Sequence, residues 1–142
     1  MIIGKEEKDA IVAFRLQRAH ETINEARGII KMKYWHAAAN RLYYACFYAV
    51  LALLIKYGHS SRTHSGVLGL FGLHFVTPGI MSKEENRLFR KLYDIRQSGD
   101  YEDMTSIEES DVVPLLEPAE QFIKTIEQLI LKNIDNDIDT TC

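Results

Sequence analysis

Residues 34–58, YWHAAANRLYYACFYAVLALLIKYG, decide the fold. From Ala45 to Ile55 every position is apolar, so a helix over this stretch is hydrophobic on all sides. Such a helix belongs at the centre of a bundle, wrapped by other elements. The apolar run is 11 residues long, short of the ~20 needed to cross a bilayer. The stretch therefore reads as a buried core helix that begins near Tyr34 and stops at Gly58.

The wrapping elements lie on both sides. Val12, Leu16, Ala19, Ile23, Ala26 and Ile30 step by four and three, the spacing of one helix face. Arg15, Arg18, Glu21, Glu25 and Lys31 fall off that stripe and predict a helix over Glu6–Met32 with a polar outer side. After the loop Gly58–Arg62, Thr63 can cap a short helix through His64–Phe71, which ends before Thr77-Pro78-Gly79. Ser82-Lys83-Glu84-Glu85 has the pattern of a capping box, in which serine and glutamate each satisfy the other's backbone amide. The helix it starts carries Leu88, Leu92 and Ile95, and Gly99 is expected to close it. A last stripe runs through Val112, Leu115, Ala119, Phe122, Ile126, Leu129 and Ile130. Because proline removes an amide donor and crowds the preceding turn, Pro114 and Pro118 place its start near Pro114 or kink its first turns. No strand signal, internal repeat or second domain is visible. The expectation is an all-α antiparallel bundle of four long helices plus one short one, a single domain over residues 1–132. An acidic tail at 133–142 is expected to be disordered.

Composition narrows the function. The chain has 142 residues and a formal charge of −3, a length that suits one domain with a real core. The tail holds Asp135, Asp137 and Asp139 and no basic residue, so the rest balances at 17 basic against 17 acidic side chains. That balance lacks the basic footprint of a protein that binds long duplex nucleic acid, while a local basic face for RNA stays open. Cys46 sits in an apolar run and Cys142 at the terminus. Two cysteines so differently placed do not form a disulfide framework and fit a reducing compartment. The first residues become charged too early for a secretory signal, so the expected location is cytoplasmic, away from membranes. The histidines (His20, His36, His59, His64, His74) contain no pair at helical ligand spacing, and neither cysteine has a close partner. No metal site and no cofactor is expected. Gly66, Gly69 and Gly72 lack the preceding strand and following Lys-Ser/Thr of a phosphate loop, and read as small residues allowing close helix contact.

Two places carry polar chemistry. At the end of the fourth helix Arg96, Asp100 and Tyr101 cluster a cation, a carboxylate and a phenol around Gly99, which is either a small polar site or a finished helix end. On the central helix Asn40, Tyr44 and Tyr48 share a face. Tyr43 and Tyr48 read as core aromatics with hydroxyls reaching an edge partner. Arg41 needs a carboxylate or a phosphate, so it pairs with an acid on a neighbouring helix or faces a groove.

In order and spacing, Asn40–Ala49, then Thr63-His64-Ser65-Gly66-Val67, then Arg96–Tyr101 resemble the HEPN superfamily, more narrowly its small stand-alone prokaryotic members. The resemblance covers about Ala10 to Leu131 and implies an antiparallel helical bundle that pairs into a homodimer. It implies, for many members, a metal-independent ribonuclease whose motif is an arginine followed after four to six residues by a histidine, two such motifs meeting across the dimer. It also implies, for several members, a toxin working beside a nucleotidyltransferase-type antitoxin that adenylylates a tyrosine near the motif. Arg96 matches the motif arginine. Tyr101 stands where the histidine would be, preceded by Asp100, and no histidine follows His74. A phenol with a reference pKa of ~10 is a poor base, and Asp100 beside a cation is a weak one. His64 is the histidine able to approach from the third helix. The resemblance thus points first to an RNA- or nucleotide-binding homodimer with a nucleotidyltransferase-type partner. Arg96, Asp100 and Tyr101 would form its reactive cluster, with Asn40, Arg41, Tyr44 and His64 lining the groove. A metal-independent ribonuclease with that altered motif is the second reading, and a purely structural interaction module the third.

Overall fold

A computed structural model describes the backbone of residues 4–101 and 106–140 and the side chains of 4–97 and 106–132. The chain is an all-α antiparallel bundle: α1 (Lys5–Lys31), α2 (Trp35–Lys56), α3 (His64–Phe71), α4 (Lys83–Tyr101) and α5 (Glu109–Thr140). A wider π-helical turn, Gly72–Val76, extends α3.

The central position expected of residues 34–58 is the one α2 takes. It packs against all four other helices, and Leu42, Tyr43, Ala45, Cys46, Ala49, Val50, Ala52, Leu53 and Leu54 are fully buried. Its length and hydropathy match those of a membrane span, but two-thirds of that stretch is buried inside the bundle. Burial pushes the Cys46 thiol well above its usual range, so Cys46 serves as a small core residue. On α1 the stripe Val12, Ala19, Ile23, Ala26 is buried, and small alanines there let α1 lie close along α2. Phe71, Phe89 and Phe122 bring α3, α4 and α5 together, with ring centroids 5.6–5.8 Å apart, the separation of favourable aromatic pairs.

The helix ends follow local chemistry. Thr63 Oγ1 accepts from the Gly66 amide at 3.0 Å. Ser82 Oγ accepts from the Glu85 amide at 3.0 Å while Glu85 Oε1 accepts from the Ser82 amide at 2.8 Å, completing the capping box. Gly58 ends α2 with φ 82°, and His59 N–H donates to the Leu54 carbonyl, a Schellman end. The end of α1 repeats that geometry without glycine: Lys33 has φ 64° and Tyr34 N–H donates to the Ile29 carbonyl.

One expectation needs correction and two are narrowed. Gly99 does not stop α4, which runs on to Tyr101; glycine costs a helix interior only ~1 kcal/mol, and it ends a helix only where the next turn needs a left-handed residue. Of the two alternatives for the last helix, a start near Pro114 is not taken: it begins at Glu109, with Pro114 and Pro118 inside it. Its start is set one turn earlier, where Asp111 Oδ2 accepts from the Glu108 amide at 3.0 Å. The small-residue account of the third-helix glycines holds in a different form. A Cβ at Gly66 would overlap the side chains of Ser61 and Thr63, whereas Gly69 and Gly72 have open space. Gly66 thus admits a loop, not a neighbouring helix. The bounds of α5 take in residues 133–140, where a tail was anticipated; their side chains and residues 141–142 lie outside the described set.

Candidate functional site

Two consecutive tyrosines on α2 organise the polar chemistry. Helical geometry turns successive side chains by ~100°, so Tyr43 points into the bundle and Tyr44 toward its edge. Tyr43 is fully buried and Tyr44 half-buried. The Tyr43 hydroxyl lies 2.7 Å from His64 Nδ1, and Arg96 Nη2 donates to the Tyr44 hydroxyl at 3.1 Å. The Arg96 guanidinium also lies over both rings, 5.8 Å from the Tyr43 centroid and 5.4 Å from that of Tyr44, within cation–π range. One helix therefore holds an arginine from α4 and a histidine from α3 against the same aromatic surface.

His64 is well oriented. Its ring stacks on Phe47 with centroids 4.5 Å apart and meets Tyr44 edge-on at 5.8 Å. The Thr63 cap immediately before it fixes the start of α3. Partial burial and then the Arg96 charge lower the His64 pKa below the ordinary histidine value of 6.5, so the imidazole is neutral at pH 7. Burial raises the Tyr43 phenol well above its usual range, against the opposing pull of Arg96, so Tyr43 keeps its proton. The neutral ring carries one proton: with Tyr43 donating to Nδ1 it sits on Nε2, which is then a donor, and with Nδ1–H donating to the Tyr43 hydroxyl Nε2 keeps its lone pair.

Arg41 answers the question posed by its position. Its Nη1 lies 3.5 Å from Glu25 Oε2 on α1, Asn40 Oδ1 accepts from its Nε and Nη2 at 3.1 and 2.9 Å, and its guanidinium sits 5.3 Å from the Tyr44 centroid. Tyr44 is thereby flanked by two guanidinium groups. Of the expected site residues, the structure brings Asn40, Arg41, Tyr44, His64 and Arg96 into one contiguous cluster. Asp100 and Tyr101 close α4 four and five residues after Arg96, and their side chains lie outside the described set.

Tyr43 is the core aromatic that the sequence predicts, with a hydroxyl that reaches a partner, and the partner is His64. No local pattern announces that bond, which joins residues 21 apart. Tyr93 completes the wall, its ring 5.7 Å from Tyr43 and its hydroxyl accepting from Gln97 Nε2 at 2.8 Å. Among the described residues no group of three or more His, Cys, Asp or Glu side chains could hold a metal ion. The chemistry offered is that of a cation, a neutral imidazole and phenol hydroxyls, a set suited to a phosphodiester.

Comparison with known proteins bears on the fold and the family. A solved structure of a Thermus thermophilus protein, TT1696, superposes with a TM-score of 0.70 over 82% of this chain and 96% of that one, at 15% identity, and shares the fold. A "UPF0332 protein" of Thermotoga maritima is 39% identical over 124 residues, 87% of this chain and 94% of its own. A Methanocaldococcus jannaschii protein named "Putative toxin MJ0605" is 29% identical over 91% of this chain and 95% of its own. The family model described as HEPN domain matches residues 12–129, and the chain belongs to that family.

Proposed function

We propose that this HEPN protein is a toxin-like RNA-binding protein of the cytoplasm. In this reading it acts as a homodimer beside a nucleotidyltransferase-type partner and holds an RNA phosphate between Arg96 and His64. The observation that carries the reading is the placement of the Arg96 guanidinium and the His64 imidazole on the adjacent hydroxyls of Tyr43 and Tyr44. A guanidinium supplies a fork of donors matched to phosphate oxygens, and the imidazole N–H adds a third direction. The toxin-like character is supported by two Methanocaldococcus jannaschii relatives named "Putative toxin". Arg96→Ala is expected to abolish RNA binding and relieve growth inhibition on overexpression, with a stability change of about 1–2 kcal/mol, the scale of a half-buried hydrogen bond and its cation–π contacts. A large loss of stability with RNA binding intact would make the cluster structural.

A second reading, metal-independent ribonuclease activity, is favoured by one observation: His64 Nδ1 lies 2.7 Å from the Tyr43 hydroxyl, and when Nδ1–H donates to that hydroxyl the Nε2 lone pair is free to take a proton from a ribose 2′-hydroxyl. Tyr101→His restores the family's arginine–histidine spacing and should cleave single-stranded RNA in EDTA more strongly than wild type. If both proteins are inert while folded, binding alone remains. Tyr101 is also the proposed target of adenylylation, since an added phosphate near Arg96 would compete with RNA. Mass spectrometry after co-expression with a neighbouring nucleotidyltransferase checks this, and an unmodified Tyr101 removes it.

A further inference from the structure

On its other side His64 forms part of a second feature, a cleft of about 420 Å3 between α1, α2 and the 59–63 loop, inside the ~300–1,000 Å3 range of ligand pockets. Its floor is aromatic and aliphatic, with Phe47, Tyr48 and Leu51. Its charged rim is of one sign: Arg15 and Arg62 line it, and no carboxylate does among the described residues. Arg15, expected on the polar outer face of α1, is instead half-buried, with its Nε–H shielded from solvent and without a hydrogen-bond partner. A donor left unsatisfied in that way costs stability unless something else completes it. The Ser61 and Thr63 hydroxyls are spent on the loop and the α3 cap, so recognition falls to the arginines and the rings.

We infer that this cleft is a subsite for the nucleotide flanking the phosphate held at Arg96 and His64, so that single-stranded RNA runs past His64, which belongs to both the Arg96 cluster and the cleft lining. The inference rests on the proposed function and adds the path of the strand. The base lies against the half-buried Tyr48 ring, beside the Arg18 guanidinium that sits 5.3 Å from its centroid, as bases lie on aromatic platforms in single-strand binders, and the next phosphate meets Arg62 and Arg15. A duplex, its bases paired and stacked, cannot offer a base to such a cleft.

The test is binding of a fluorescently labelled single-stranded RNA decamer, measured by anisotropy across a salt series. Arg62→Gln, Arg15→Gln and Tyr48→Leu should each weaken binding by about fivefold or more. Each arginine change should also flatten the salt dependence by ~0.7 for every phosphate left without its cation. Arg90→Gln, which removes an exposed arginine outside the cleft, should bind as wild type. Arg62 is exposed, so its variant folds normally and reports on binding alone. Unchanged affinity in the cleft variants with loss in Arg96→Ala overturns the subsite and keeps the Arg96 reading. Loss in the cleft variants with none in Arg96→Ala keeps the cleft and overturns the Arg96 reading. A wild type that binds no RNA overturns both.

Discussion

At the scale of single residues the informative pair is His64 and Arg96, which share two tyrosines and a mutual electrostatic influence. Burial and the Arg96 charge both disfavour the imidazolium. Because the folded-state pKa is depressed, the unfolded chain binds the proton more readily below pH ~6.5. The His64 contribution to stability is therefore complete above that pH and is lost as pH falls toward the lower folded value. Followed by NMR, the His64 ring should titrate below 6.5 and move upward in Arg96→Ala, with a residual depression from burial. A titration unmoved by that substitution would mean that the two groups do not sense each other. Tyr43 shows the limit of reading one residue at a time. Its apolar neighbours identify it as core, which it is, yet its hydroxyl is what orients His64.

At the scale of elements, α1 and α2 end in the same Schellman geometry, but with Lys33 and Gly58 respectively at the left-handed position. A side chain there costs ~1–2 kcal/mol of strain, partly offset by the greater unfolded-state freedom of glycine. Lys33→Gly should thus raise stability by roughly 0.5–1 kcal/mol, read as a shifted urea midpoint at constant slope. Gly66→Ala should act oppositely. Its methyl would collide with Ser61 and Thr63, push the loop away from the start of α3 and lower stability by roughly 1–3 kcal/mol. The RNA affinity of this variant should fall as well, since His64 and Arg62 sit on the displaced segment. Wild-type affinity in a destabilised Gly66→Ala protein would show that the loop is not part of the binding surface.

For the whole molecule, the question is how much of its surface works alone. Phe14, Met32, Tyr34, Leu73 and Ile80 are each more than half exposed. Exposed apolar side chains of this size favour association where they gather in one patch. The proposed homodimer should sediment at twice the monomer mass at micromolar concentration. A monomer under those conditions would leave each Arg96 site to act by itself.

The sequence determined most of the architecture, because periodicity and caps are local. The continuous apolar run of α2, the stripe of α1, the Thr63 cap and the Ser82–Glu85 box each declare themselves within one or two helical turns, and each stands where it was expected. Signals of the same range misled where two local terms nearly balance. Gly99 is a weak helix former without being an obligatory stop, and Pro114 follows a start already capped by Glu108 and Asp111. The family pattern named Arg96, Tyr44 and His64 without saying how they meet. Only the tertiary structure decided that Tyr43 and Tyr44 would hold His64 and Arg96 to one surface, that Arg41 would take Glu25, and that Arg15 would turn into a cleft. Those contacts join residues far apart in the chain, and their geometry depends on how three helices pack against α2, which no local window of sequence contains.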